Sequence, residues 1–197
     1  MSPSRRILIV EDEPNVRLVF RTALATESCA IAAADDGEQA LRWLRGNVAD
    51  LILLDLNLPK MGGLDVLRRL GEEGERTPVV VVTAHGSITV AVEAMKLGAI
   101  DFLEKPATPT ELRRVVDAAL SRGSGRKSPP RPDPIATLRV RAHRALEDGD
   151  LAKAKVLVDG LAALEPDSAE VRRLVEELRS AREASDGPDR IFRGWFP

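Results

Sequence analysis

The sequence predicts an α/β protein: a doubly wound, five-stranded parallel sheet followed by a small all-α unit. Three observations carry this. Short, unbroken apolar runs (ILIV at 7–10, LILL at 51–54, VVVV at 79–82) suit strands buried on both faces of a parallel sheet. Segments with helical spacing separate them. Beyond residue 134 the strand signal stops and only helical spacing remains.

In chain order, the strand at 7–10 precedes a helix marked by Val16, Val19, Phe20 and Ala23. A weaker strand at 29–33 precedes a helix marked by Ala40, Leu41 and Leu44, and the strand at 51–54 follows. The strand at 79–82 leads to a helix marked by Val90, Ala91, Ala94 and Met95, and a last weak strand lies at 100–103. Strand then helix, five times over, places any ligand site beyond the carboxyl ends of the strands.

The chemistry is concentrated at those ends. Glu11, Asp12 and Glu13 follow the first strand, Asp55 the third, Thr83 the fourth, and Lys105-Pro106 the fifth. Gathered carboxylates repel one another unless a cation sits among them, and an all-oxygen cluster suits Mg²⁺. Asp55 is then placed to act as a nucleophile, with Lys105 and Thr83 offsetting charge on a transferring phosphoryl group. Each carboxylate alone reads more simply as a cap of the next helix; together they favour a phosphoryl-transfer site.

The segments LIVEDEP, LILLDLNLPKMGGLDVL and VVVVTAHGSITVAVEAMKLGAIDFLEKP resemble the receiver domain of bacterial response regulators over residues 5–121, and the third is most similar to receivers of the nitrogen-regulation and nitrogen-fixation type. The resemblance implies a flavodoxin-like fold and a phosphoryl group taken on Asp55 from a sensor histidine kinase. It implies Mg²⁺ held by Asp12, Asp55 and the carbonyl of Asn57, with Glu11 acting through water. Thr83 and Lys105 would touch the phosphoryl group, Phe102 would be the aromatic switch partner of Thr83, and Pro106 would be a cis proline. Glu11 stands where the family often has Asp, and Phe102 where Tyr is common. Phe102 also suits an ordinary core position. His85, two residues past Thr83, is a candidate influence on phosphate lifetime.

Charge and composition bound the rest. The net charge is −2, so no global positive field attracts nucleic acid or an anionic membrane. The single cysteine, Cys29, permits no internal disulfide and reads as a small buried side chain. No apolar run approaches membrane-span length, and the basic start MSPSRR lacks the long apolar stretch of a signal peptide. A cytoplasmic protein with no membrane partner is expected.

Residues 1–120 carry 14 Lys+Arg against 18 Asp+Glu and form the predicted receiver. The stretch 121–134, SRGSGRKSPPRPDP, has little to bury and is expected to be a flexible linker. Residues 135–183 read as three helices, 135–147, 151–164 and 168–183, with Leu138, Ala142, Ala145, Leu146, Leu151, Ala154, Val158, Leu161, Val171, Leu174, Val175 and Leu178 facing one core. The string ALEDGDLAKAKVLVDGLAALEPDSAEV resembles a tetratricopeptide repeat in its Gly-Asp turn and closing Pro, without the early large aromatic, which implies an unidentified protein partner. A plain helical bundle or a dimerisation module is the simpler alternative. A DNA-binding helical output is the competing class. It is not favoured, because residues 135–183 hold nine Lys+Arg against ten Asp+Glu. No Gly-x-x-x-x-Gly-Lys phosphate loop occurs, which argues against an ATPase output. The tail, 184–197, contains Phe192, Trp195 and Phe196, three of the six aromatic residues, as expected of a docking peptide for another protein or a groove on its own helices; an inert, disordered tail is the alternative.

Overall fold

The computed structural model describes residues 5–25, 29–84, 88–123 and 133–186. The chain divides into two compact units, 1–132 and 133–197. In the first, β1 (Arg5–Val10), α1 (Pro14–Leu24), β2 (Cys29–Ala34), α2 (Gly37–Leu44), β3 (Leu51–Leu54), α3 (Gly63–Glu72), β4 (Val79–Thr83), α4 (Ile88–Lys96), β5 (Asp101–Glu104) and α5 (Pro109–Gly123) alternate as the sequence predicts.

All five strands are parallel, in the order β2-β1-β3-β4-β5. The chain leaves β1 toward β2 and returns to the other side with β3, so the sheet reverses between β1 and β3, where such folds open a crevice. Burial explains the unbroken apolar runs. Alternate residues Ile7, Ile9, Leu51, Leu53, Val80 and Val82 pack in one cluster with Phe20 and Leu24 of α1 and Leu112, Val115 and Val116 of α5. The residues between them, Leu8, Val10, Ile52, Leu54 and Val81, are equally buried on the opposite face. Strand pairing aligns the carboxyl ends: Val10 pairs with Leu54, Leu54 with Val81, and Thr83 with Glu104.

Some boundaries and burials differ from the sequence reading. β1 starts at Arg5 because Arg5 and Arg6 pair with Cys29 and Ala30 and the Arg6 N–H donates to Asp50 Oδ2 at 2.6 Å, backbone partners that hydropathy does not register. The fifth strand shifts to Asp101–Glu104 because its ladder begins at Val80 with Asp101. Val19 is exposed, and Cys29 is only half-buried because β2 is an edge strand.

The second unit holds α6 (Pro134–Glu147), α7 (Leu151–Leu164) and α8 (Ala169–Asp186). Each helix starts on a side-chain cap: Asp133 accepts from Ile135 N, Asp150 from Lys153 N and Ser168 from Val171 N. Gly149, at φ 72°, makes the left-handed turn between α6 and α7. Leu138, Ala142, Ala154, Val158, Leu161, Val171 and Leu174 form the buried stripe. Val175, placed in that stripe by spacing, is 41% exposed; it lies one residue past Leu174 and so turns off the buried face. Arg139 ties the ends together through Glu165 and, at 2.7 Å, Glu170.

Two predicted limits are too short. α5 runs to Gly123 and α8 to Asp186, each three residues beyond the expected element end, because Ser121 Oγ donates to the Asp117 carbonyl within α5 and Ala184-Ser185 carry no helix breaker. The proposed linker is also too long at its far end, because Asp133 caps α6 and Pro134 begins it; residues 124–132 of that linker, the tail aromatics Phe192, Trp195 and Phe196, and His85 lie outside the described residues. Among the described residues no helix is long and apolar enough to cross a membrane.

Candidate functional site

The site assembles at the carboxyl edge of the sheet. Backbone pairing continues one residue past the central strands: Glu11 N donates to Ala34 O at 3.0 Å and Asp55 N to Val10 O at 2.9 Å. Both side chains are buried, Glu11 at 1% exposure and Asp55 at 5%. The carboxylate oxygens of Glu11, Asp12 and Asp55 lie within 4.8 Å of one another, Asp12 being the least covered.

Lys105 reaches the same point from the end of β5. Its backbone N–H donates to the Thr83 carbonyl at 3.0 Å, which fixes the residue beside β4. Its Nζ lies 2.6 Å from Glu11 Oε2 and 2.5 Å from Asp55 Oδ2. Burial lifts the Glu11 pKa above the ordinary glutamate value, against the Lys105 hydrogen bond, which lowers it. Burial also works against the Lys105 ammonium, but hydrogen bonds to Asp55 and Glu11 outweigh it and hold its pKa above the usual lysine value. The second Asp55 oxygen, Oδ1, accepts from the Asn57 N–H at 3.0 Å.

Every described candidate has a defined place. Thr83 closes β4 and is fully buried; Phe102 is a buried member of β5; the Lys105–Pro106 peptide bond is cis. The donor set fits a hard divalent cation: three carboxylates, all oxygen, arranged so closely that a lysine ammonium already bridges two of them.

Further residues build the surrounding loops. Gly63 opens α3 against the Asp55 loop, and a Cβ there would stand 2.3 Å from the Asp55 carbonyl, so only glycine fits. Asp36 caps α2 through Gln39 N at 2.7 Å and pairs with Lys60 Nζ at 2.5 Å. The spacing Asp36-x-x-Gln39 is a capping signature, so half of this was legible in sequence. The Lys60 partner, 24 residues away, was not.

The Lys60 hydrogen bond, followed by that of Gln39 N, holds the Asp36 carboxyl below the ordinary aspartate range. A carboxyl whose folded pKa is depressed stabilises the fold above its unfolded pKa and loses that contribution as pH falls through the folded value. Thermal midpoints should therefore drop on acidification below about pH 4, the ordinary aspartate value. Asp36→Asn should start lower at neutral pH and drop less, as differential scanning calorimetry across that range will show.

The family profile described as "Response regulator receiver domain" matches residues 7–117. The chain belongs to this family. The receiver resembles AtoC, the "Regulatory protein AtoC" of Escherichia coli K12, with 37% identity over 127 residues, covering 64% of this chain and 28% of that protein. It resembles the Pseudomonas aeruginosa "Alginate biosynthesis transcriptional regulatory protein AlgB" with 43% identity over 108 residues, 55% of this chain and 24% of that protein. The chain thus spans about a quarter of the length of these curated relatives. Among solved structures, a signal receiver domain from Vibrio parahaemolyticus superposes with a TM-score of 0.59 at 35% identity, covering 60% of this chain and 92% of that one. The receiver domain of NtrX from Brucella abortus gives a TM-score of 0.55 at 33% identity, covering 58% and 98%. These matches place the five-stranded unit firmly in the receiver fold; the family match ends before the helical unit.

Proposed function

We propose that this protein is a two-component response regulator that takes a phosphoryl group on Asp55 from a sensor histidine kinase and signals through protein contacts of its helical unit. One observation supports this most: the Lys105 ammonium sits between Asp55 and Glu11, with the Asp12 carboxylate beside them, at the open edge of the sheet.

In the transfer, an Asp55 carboxylate oxygen forms a bond to phosphorus as the phosphorus–nitrogen bond to the donor histidine breaks, and the imidazole leaves with the electron pair. Glu11, Asp12, Asp55 and the Asn57 carbonyl would hold Mg²⁺, which when bound draws charge from the transferring oxygens. Lys105 offsets the remaining negative charge, and the Thr83 hydroxyl supplies a hydrogen-bond donor. The new charge of roughly −1.5 to −2 competes with Glu11 for Lys105. Thr83 is drawn toward it, and the space beside Phe102 changes with Thr83; Pro106 anchors the Lys105 loop. The protein turns over no separate substrate; it is a phosphoacceptor. With a small acyl phosphate as donor, aspartyl phosphate should form in Mg²⁺ and fall to background when a chelator removes the metal; equal labelling with and without chelator would reject the metal-dependent mechanism.

The domain scheme follows the same reading: a receiver through α5, a Pro-rich linker, a tetratricopeptide-like module on α6–α8, and an aromatic tail for docking. Capped helices of 14, 14 and 18 residues joined by short turns support it. The name of AlgB, a transcriptional regulatory protein, favours a second reading, in which this chain is a transcriptional regulator that binds DNA. Against it stand the balanced charges of the helical unit, which offers no basic excess to phosphates. Fluorescence anisotropy of the full chain with duplex DNA at physiological salt should show no tight binding; tight, sequence-specific binding would establish the second reading.

A further inference from the structure

The junction between β2 and α2 contributes no ligand to the acidic cluster, yet two consecutive aspartates there each tie down one of the loops that do. Asp35 Oδ1 lies 2.5 Å from Arg17 Nη1. The same nitrogen donates to the carbonyl of Glu11 at 2.6 Å, and the Arg17 side chain is only 19% exposed. Asp36 Oδ2 pairs with Lys60 Nζ at 2.5 Å. Lys60 lies on the β3–α3 loop, five residues past Asp55 and three past Asn57, counting from the sequence. Gln39 locks the two aspartates to one another's register, its side chain accepting from Asp35 N at 2.5 Å and its N–H donating to Asp36 Oδ1 at 2.7 Å. Close packing reinforces the junction: a Cβ on Gly37 would stand 2.4 Å from Val66 Cγ2 and 2.9 Å from the Met61 carbonyl.

Ion-pair stability does not account for Lys60. Its side chain is 62% exposed, and exposed pairs add little. Its backbone is left-handed, at φ 64°, a conformation that favours glycine.

We infer that Asp35 and Asp36 form a clasp which, through Arg17 and Lys60, sets the separation of the Glu11–Asp12 loop from the Asp55–Asn57 loop and thereby the affinity of the acidic cluster for a divalent cation. These four are positioning residues; none is among the clustered carboxylates. The inference rests on the metal-site reading of Glu11, Asp12 and Asp55.

Electrostatics gives the test its sign. Removing a positive charge near an acidic site strengthens cation binding by Coulomb attraction alone. Removing a tether weakens it, because the ligands must be brought back into place. Arg17→Met and Lys60→Met, which keep much of the apolar stem, should therefore each weaken binding of Mn²⁺ to the full chain, by about tenfold when combined. The free-ion signal in electron paramagnetic resonance measures this directly. Arg17→Lys, which retains a donor, should restore most of the affinity. Lys60→Gly relieves the backbone strain but loses the pair with Asp36, so the two effects on the thermal midpoint without metal should largely offset, while Mn²⁺ binding still weakens. Affinity that is unchanged or higher in Arg17→Met and Lys60→Met overturns the clasp. If Asp12→Asn binds Mn²⁺ as tightly as the wild type, the metal-site reading itself fails, and the clasp with it.

Discussion

Asp55→Asn should bring covalent phosphorylation to background. The amide nearly matches the carboxylate in shape but lacks an anionic oxygen to attack phosphorus. The remaining carboxylates do not substitute for it. Asp55 is the group whose one oxygen is held by the Asn57 N–H at 3.0 Å and whose other contacts Lys105 Nζ at 2.5 Å, so a phosphoryl group built on it has a cation already in place. Glu11 shares the lysine but is 1% exposed, and Asp12 is not paired with Lys105. Wild type and variant should be incubated with Mg²⁺ and a small acyl phosphate, then compared by intact-protein mass spectrometry. A gain of one phosphoryl group in wild type and none in the variant is expected. Equal gain in both would move the acceptor elsewhere.

Lys105→Met should separate two effects that usually move together. Loss of a donor aimed at the developing phosphoryl charge should slow labelling by about 10²–10³-fold. Divalent-ion affinity should rise, because the ammonium no longer occupies Glu11 Oε2 and Asp55 Oδ2 at 2.6 and 2.5 Å. Stability without metal should fall by roughly 3 kcal/mol, since two buried carboxylates lose their cation. Added Mg²⁺ should restore much of that loss by binding the folded state. Labelling rates, Mn²⁺ titration and denaturant midpoints with and without Mg²⁺ read the three effects. A variant that labels at the wild-type rate would remove Lys105 from the chemistry, whatever its effect on stability.

What the sequence determined by itself was the part governed by local and periodic physics. Apolar runs of four residues bounded by charge could only be satisfied between two helical layers, so ILIV, LILL and VVVV mark β1, β3 and β4. Parallel strands of one sheet end together, so residues just past those runs had to meet at one edge, and Glu11, Asp12 and Asp55 do.

Tertiary structure decided whatever depends on which distant groups become neighbours. That Lys105 bridges Glu11, 94 residues away, as well as Asp55, 50 away, follows from the β1-β3-β4-β5 order and not from any spacing in the chain. Nothing in the sequence marks the partners of Arg17 and Lys60, because a long cation finds its carboxylate only once α1, α2 and the β3–α3 loop are brought together around the sheet. Val19 and Val175 had apolar character that spacing assigned to the core, yet each lies one residue from the buried side chain of its helix, Phe20 and Leu174, and so turns off the covered face. Periodicity fixes a helix's apolar face to within a residue either side; only the neighbours that cover it determine where that face stops.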